Sequence, residues 1–395
     1  MISIEKQNFK GLKAIVRVDF NVPLGPNSQV LDSSRIEAAK PTVMKIINDG
    51  GSCILISHLG RPTNREKELS LKHVIPAIEK VLGLKVEFVK DAIGEKAQKA
   101  AKKLKPGGVL VLENLRFYPE EIKGDKKFAK KLASYADCYI NDAFGTAHRA
   151  HASTTTITEF FKNKKYSGLL LCNELKAITK VLQKGEKPIL AILGGSKISS
   201  KIAIIENIMN KVDEIIIGGG MAFTFIKAQG GSIGDSIFEG DRLDLALSII
   251  KKAKLKHVKI YLPADAVCSD EFSNTGNKKV FEINKIPTKW QGLDSGPKSI
   301  KIFDKAIMSA KTILWNGPIG VFEIDSFSKG TIAIGNSVAK STQRGAFSLV
   351  GGGDSVAAVK KFNLQKKVSY VSTGGGAMLE SLEGKILPGV EALSN

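Results

Sequence analysis

The sequence predicts an α/β protein built from two parallel-sheet domains joined by a helix, and three observations carry that expectation. In the second half, four short apolar runs each end in a glycine turn followed by helix-compatible sequence. Ile189–Leu193 runs into Gly194-Gly195, Glu214–Ile217 into Gly218-Gly219-Gly220, Ala346–Val350 into Gly351-Gly352-Gly353-Asp354, and Val368–Val371 into Ser372-Thr373-Gly374-Gly375-Gly376. In the first half, apolar runs also alternate with helical patterns, but they end in polar residues and arginines. Between the halves, Leu171–Gln183 carries apolar residues at Leu171, Leu175, Ile178 and Leu182, a helical spacing that stops before Gly185 and Pro188. A chain of 395 residues is long enough for two cores.

Taken in order, the first strand is Ala14–Val18, running into Asp19-Phe20-Asn21-Val22-Pro23. The second, Cys53–Ile56, leads into Ser57-His58-Leu59-Gly60-Arg61-Pro62. Val109–Leu112 leads into Glu113-Asn114-Leu115-Arg116, and Cys138–Ile140 into Asn141-Asp142-Ala143-Phe144 and onward to Arg149. Helical patterns at 35–49, 71–82, 93–104 and 126–136 fill the gaps. The chain has eight arginines, and six of them lie in the first 150 residues. Guanidinium groups grip carboxylates and phosphates bidentately, so Arg61, Arg116 and Arg149, with Asp19, Asn21, His58, His148 and His151, suit a small, multiply anionic metabolite. A single such arginine reads as a surface ion pair; their recurrence at strand ends favours a ligand.

In the second half, parallel sheets place ligands at the carboxyl ends of strands, so four glycine turns along one edge fit a nucleotide-sized anion. At Gly351–Asp354 the turn opens a helix whose N–H groups favour an anion, and Asp354 reads either as a cation ligand or as an ordinary N-cap. Lys197 and Lys201, four apart, are expected on one side of a helix with core face Ile198, Ile202, Ile205 and Ile208. Two cations at its positive end cost on the order of 0.5 kcal/mol each unless an anion offsets them. Trp315–Glu323, rich in Gly and Pro, is either a structural loop or a source of contacts to a base and a ribose. The apolar tail Ile386–Val390 is expected to dock on a domain.

Composition narrows the alternatives. The net charge of +20 raises nucleic acid as a partner, but lysine is spread along the chain as on solvated helix faces, and aromatics are only 7% and not interleaved with arginine. A nucleic-acid-binding protein is the disfavoured alternative, and neither nucleic acid nor membrane is an expected partner. Cys53, Cys138, Cys172 and Cys268 show no metal-ligand or redox spacing. Met1–Lys6 lacks a signal-peptide core and no apolar run nears the roughly 18 residues of a membrane helix, so a cytoplasmic protein is expected. P-loop, dinucleotide-binding and protein-kinase motifs are absent.

The chain resembles the phosphoglycerate kinase family from end to end. The resemblance lies in Arg17–Pro23, Ser57–Pro62, Leu112–Phe117, Asn141–His151, Leu193–Lys197, Trp315–Pro318 and Gly351–Asp354. It implies two doubly wound, Rossmann-like parallel-sheet domains joined by a helix and a hinge: 1–170 binding phosphoglycerate, 171–185 connecting, 186–380 binding nucleotide, and 381–395 docking back on the first domain. It also implies reversible transfer of the acyl phosphate of 1,3-bisphosphoglycerate to Mg·ADP, by a monomer. By motif position, Asp19, Phe20, Asn21, Arg35, His58, Leu59, Gly60, Arg61, Arg116 and Arg149 would hold phosphoglycerate. Lys201, Glu323, Gly352, Gly353, Asp354 and Ser355 would hold ADP or ATP, Asp354 would carry Mg²⁺, and Arg35, Lys197 and Lys201 would attend the transferring phosphoryl group. Two departures from the family pattern are visible: Ser355 where threonine is usual, with the hydroxyl kept, and Cys172 where an acid is common.

Overall fold

Why the apolar runs become strands is seen in their burial. β1 (Lys13–Arg17), β2 (Ser52–Ile56), β4 (Val109–Leu112) and β5 (Cys138–Asn141) are buried along nearly their whole length, as strands of a parallel sheet covered on both faces must be. In the computed structural model, which describes residues 1–394, they join β3 (Val86–Val89) and β6 (Lys165–Ser167) in a sheet of order β3-β4-β2-β1-β5-β6, every pairing parallel. From β1 the chain winds one way through β2 to the edge strand β3, comes back to insert β4 between them, and then winds the other way through β5 and β6, so right-handed crossovers place helices on both faces. Helices Ser34–Asn48, Ile75–Leu82, Glu95–Lys103 and Lys126–Ala133 follow the expected patterns with trimmed ends. The pattern from Leu71 opens as a 3₁₀ turn, Leu71–Val74, and becomes α-helical only where Pro76 occupies the first turn, ending at Gly83 with φ +73°.

The second sheet is assembled from β7 (Ile189–Leu193) and β8 (Glu214–Ile217), then, after the short β9 (Ser232–Ile233), from β10 (Lys259–Tyr261). The chain next forms β11 (Asp265–Ser269), β12 (Lys278–Glu282), β13 (Lys285–Ile286) and β14 (Gln291–Ser295) outside that sheet. It returns with β15 (Thr312–Asn316), β16 (Phe347–Val350) and β17 (Tyr370–Val371). The order is β10-β8-β7-β15-β16-β17, all parallel, while β12-β11-β14 and β13-β9 form two small satellites. The direction of winding reverses between β7 and β15, the position where open α/β sheets bind ligands.

By packing, the chain divides into 1–175 with 386–394, and 176–385. The first has a core around Val16, Leu55, Val111 and Ile140, the second around Ile192, Trp315, Ile334 and Val350. The division falls inside the helix Leu169–Leu182. Residues 386–394 pack in the first unit, where Gly389 N–H donates to Ala147 O at 2.8 Å. Among the described residues no helix is long and apolar enough to cross a membrane.

Asp142, fully buried after β5, caps the helix Leu169–Leu182: its Oδ1 accepts from Leu170 N at 2.9 Å and Leu171 N at 3.3 Å, while Oδ2 is buried without a partner. Burial pushes its pKa up to about 7, the hydrogen bonds pulling weakly the other way. The fold therefore prefers the neutral acid, and the stability this group contributes is complete below about pH 4 and lost as pH rises through about 7. Asp142→Asn keeps the Oδ1 acceptor and removes that titration. Its melting temperature relative to wild type is expected to rise between about pH 5 and pH 8 in scanning calorimetry; an offset independent of pH would contradict the burial argument.

Candidate active site

At the carboxyl ends of β1, β2, β4 and β5 the predicted anion-binding residues come together. Arg35, in the first turn of Ser34–Asn48, donates to Asp19 Oδ2 at 2.6 Å, and Asp19 Oδ1 accepts Asn21 N–H at 3.2 Å. The turn His58–Gly60 is held from three directions. Asn21 Oδ1 accepts from Gly60 N at 2.8 Å, the Asn114 amide bonds Leu59 N and Leu59 O, and Arg116 donates to Gly60 O. Phe20 N–H donates to Ser57 Oγ at 2.8 Å, tying the end of β1 to the same turn. Arg61 follows exposed, and Arg149 Nε bonds the neighbouring His148 at 3.3 Å. Arg116 is buried and its Nε has no partner, an orphan donor that an anionic oxygen would satisfy.

Behind this cluster lies a network that sequence reasoning missed. Arg17, 1% exposed, donates from Nε to Ser153 Oγ at 2.9 Å, from Nη1 to Val18 O, and from Nη2 to His58 Nδ1 at 3.1 Å. Ser153 in turn bonds buried Glu121 through its hydroxyl at 2.6 Å and its N–H at 3.0 Å. Burial first, then the charges of Arg17, Arg149 and Arg35 and the nearby His151, hold His58 well below the usual histidine range. His151 is pushed down to about 4 by burial first, then by Arg17, Arg149 and the neighbouring His148. Arg17 ended an apolar run, which was the available signal, but its partners lie up to 136 residues away.

The switch point between β7 and β15 differs in detail from the glycine cradle expected there. Gly194 and Gly195 N–H groups are spent on Asn316 O and Pro318 O, both at 3.1 Å. A Cβ on Gly194 would meet Pro318 O at 2.0 Å, and one on Gly317 (φ +109°) would meet Gly194 O at 2.2 Å. These glycines let two turns approach backbone to backbone. The outward donors are instead at the β16 turn: Gly352 (φ +93°) caps the helix Gly353–Lys361, whose first intrahelical bond is Val356 N to Gly352 O. The N–H groups of Gly353, Asp354 and Ser355 precede that bond and belong to the helix's anion-favouring first turn. The Ser355 hydroxyl is turned inward and accepts from Gly317 N.

Lys197 and Lys201 do not share a helix. Ser199 is held in a turn by its N–H and hydroxyl bonds to Glu239, so the helix begins only at Ile202, with Lys201 at its N-cap and Lys197 exposed ahead of it. Lys201 Nζ donates to Asn316 Oδ1, and Asn316 Nδ2 to Gly351 O at 2.8 Å, so this fully buried asparagine links β15, Lys201 and the β16 turn. Burial lowers the Lys201 pKa and the Asp354 carboxylate opposes it, which puts the two side chains in electrostatic reach. Glu323 and Asp354 line a cavity of about 440 Å³ together with Gly219, Gly220, Phe223, Leu293 and Pro318, apolar inside with carboxylates among its lining, in the size range of a nucleotide site.

A family model described as phosphoglycerate kinase matches residues 4–385. The chain belongs to the phosphoglycerate kinase family. It is 53% identical over 416 residues to "Phosphoglycerate kinase" of Porphyromonas gingivalis, covering 99% of this chain and 100% of that protein. It is 50% identical to "Phosphoglycerate kinase 3, cytosolic" of Arabidopsis thaliana over 99% of this chain and 97% of the other. Among solved structures, phosphoglycerate kinase from Coxiella burnetii superposes with a TM-score of 0.91 at 42% identity, covering 100% of this chain and 98% of that one. The two six-stranded parallel units are those of phosphoglycerate kinase structures, and the α/β expectation is met. As a phosphoglycerate kinase, this phosphotransferase is a glycolytic enzyme that moves the acyl phosphate of 1,3-bisphosphoglycerate to ADP. The nucleic-acid-binding alternative finds no support.

Proposed function

We propose that the arginine cluster of the first unit holds phosphoglycerate and the glycine-rich edge of the second holds the nucleotide. The observation that supports this most is the buried, unpartnered Arg116 Nε beside the Arg35–Asp19 pair in one unit, against an apolar cavity flanked by a helix N-terminus in the other. Asp19, Phe20, Asn21, His58, Leu59, Gly60, Arg61, Arg116 and Arg149 position the three-carbon ligand. Glu323, Gly352, Gly353, Asp354 and the N–H of Ser355 position the nucleotide.

Asp354 is a single exposed carboxylate, which suits Mg²⁺: that ion takes one or two protein carboxylates and leaves its other positions to phosphates and water. When bound with the nucleotide, it supplies neutralising charge to the phosphate oxygens. The acceptor oxygen, on a carboxylate or a phosphate, is ionised at pH 7, so the protein need not supply a general base. Its task is in-line positioning and cancellation of equatorial charge, by Arg35 from one unit and by Lys197 and Lys201 from the other. The enzyme acts as a cytoplasmic monomer.

Arg61→Ala and Arg149→Ala are each expected to weaken 3-phosphoglycerate binding roughly tenfold or more while leaving ADP binding unchanged, because a charge-assisted phosphate or carboxylate contact contributes about 1.5–3 kcal/mol. Calorimetry with each ligand checks this; equal losses for both would contradict the division of labour.

An acyl phosphate hydrolyses readily, so transfer requires exclusion of water after both ligands have entered, which a hinge between the units would provide. Small-angle scattering is expected to show a smaller radius of gyration with 3-phosphoglycerate and a Mg·ATP analogue together than with either alone. An unchanged radius, with both ligands bound, would remove closure from the mechanism.

A further inference from the structure

We propose that Arg17 is a positioning residue that holds His58 as its neutral Nε2–H tautomer, so that the imidazole offers phosphoglycerate a hydrogen-bond donor without a titrating charge. The proposal rests on the reading of His58 as a phosphoglycerate ligand given above.

The geometry requires the tautomer. A guanidinium has five N–H donors, no acceptor, and does not deprotonate in proteins. Its 3.1 Å contact with His58 Nδ1 therefore uses the nitrogen's lone pair, which leaves the ring proton on Nε2. Nε2 makes no hydrogen bond among the described residues, so that N–H is the imidazole's only free polar group.

Arg17 is itself fixed from behind. Its Nε can only donate to Ser153 Oγ, so the Ser153 hydroxyl proton is directed onward to Glu121 Oε1, and Ser153 N–H occupies Glu121 Oε2. Tyr139 Oη donates to Ser153 O at 2.8 Å and sets that residue's place. The chain of donors thus runs one way, from Arg17 through Ser153 to Glu121, and every side chain in it is buried. Glu121, 0% exposed, accepts on both oxygens from Ser153; burial raises its pKa, and the charge of Arg17 pulls the other way.

The groups facing His58 all oppose a second charge there. They are Arg17 at the end of β1, Arg35 in the helix Ser34–Asn48, and Arg149 and His151 in the segment after β5. The carboxylate of Asp19 is engaged by Arg35, and that of Glu121 by Ser153. An imidazolium would add a positive charge among arginines that already supply the anion's countercharge; a neutral N–H adds direction only.

The decisive measurement is nitrogen-resolved magnetic resonance of the imidazoles in the full-length enzyme, with His58 assigned by its loss in His58→Asn. In wild type the expected spectrum has a bare Nδ1 and a protonated Nε2, constant from about pH 6 to 8, with the Nε2 signal moving on addition of 3-phosphoglycerate. In Arg17→Met, burial and the charges of Arg149 and Arg35 still keep His58 neutral, but Nδ1 has lost its donor, so the imidazole is expected to divide between its two tautomers and the KM for 3-phosphoglycerate to rise about three- to tenfold at every pH from about 6 to 8 while the KM for ATP is unchanged. Arg17→Lys, whose ammonium is also donor-only, should restore the single Nε2–H tautomer and the lower KM.

A wild-type His58 that titrates near its usual value, or carries its proton on Nδ1, overturns the proposal even if Arg17→Met fails to fold. A folded Arg17→Met that keeps the single Nε2–H tautomer and the wild-type KM, its losses confined to melting temperature, likewise reduces Arg17 to a structural residue. If the tautomer is as expected but 3-phosphoglycerate leaves Nε2 unmoved, the coupling of Arg17 to His58 stands and the placing of His58 in the ligand site falls.

Discussion

Lys201→Ala is expected to lower kcat by a factor of about 10² or more with a smaller change in KM, and Arg35→Ala to do the same from the other unit. The expectation follows from how the two cations are held. Lys201 Nζ is half-buried and pinned to Asn316 Oδ1, within electrostatic reach of Asp354, so its charge stands ready where a phosphoryl group would gain charge. Arg35 is fixed to Asp19 at 2.6 Å. Pre-oriented charge of this kind contributes most when charge develops in the transition state, which is why kcat moves more than KM. Steady-state rates near wild type in either variant would withdraw the catalytic role from that residue. Lys197, exposed and off the helix, is expected to have a smaller effect than Lys201.

A larger loss, of structure as well as activity, is expected from Gly194→Ala. The new Cβ would lie 2.0 Å from Pro318 O and 2.7 Å from Gly317 O, both backbone atoms of the facing turn, so β7 and β15 must separate where they meet the nucleotide cavity. Overpacking against backbone with no side chain to yield costs about 3 kcal/mol or more. Gly195→Ala is the matched comparison. Its Cβ would meet nothing within 4 Å, so only the positive φ of +114° opposes it, at a cost of about 1–2 kcal/mol. Calorimetric unfolding and ADP titration of the pair check this: Gly194→Ala is expected to lower the transition of the second unit and abolish ADP binding while 3-phosphoglycerate still binds the first. If the two variants behave alike, the close approach of the turns is not what Gly194 provides.

What the sequence made legible follows from what short-range patterns can carry. Fully buried strands such as Ile189–Leu193 and Val109–Leu112 stand out because apolar residues fill both faces. The edge strands Val86–Val89 and Lys165–Ser167 do not, because most of their residues are only partly buried and their identity comes from the neighbour they pair with. The Gly- and Pro-rich turn read over Trp315–Glu323 takes in the last two residues of β15, and Thr312–Leu314 drew no reading, although the strand is central to its sheet; the turn chemistry after Asn316 masks a five-residue strand. The excursion β11 to β14, with β12-β11-β14 antiparallel and partly exposed, gives no comparable signal.

The same limit applies to the site. Charged residues at strand ends were found because the strand end is local information. Arg17, Glu121, Ser153 and Asn316 were not assigned roles, because a buried polar side chain is defined by partners far along the chain. Lys197 and Lys201 sat at helical spacing, but Glu239, distant in sequence, holds Ser199 out of the helix.

The return of residues 386–394 to the first unit bears on how the polypeptide emerges from the ribosome. Leu387 and Leu393 are 4% exposed, and Asn141 Nδ2 meets Gly389 O across 248 positions of sequence. The rest of this unit, 1–175, is synthesised before the second unit, yet residues 386–394 join it only after the second unit has been made. Vectorial folding of the first unit is thus incomplete until residues 386–394 have been made: a nascent chain stalled anywhere in the second unit leaves Ala147 O and Asn141 Nδ2 without the Gly389 backbone that they bond.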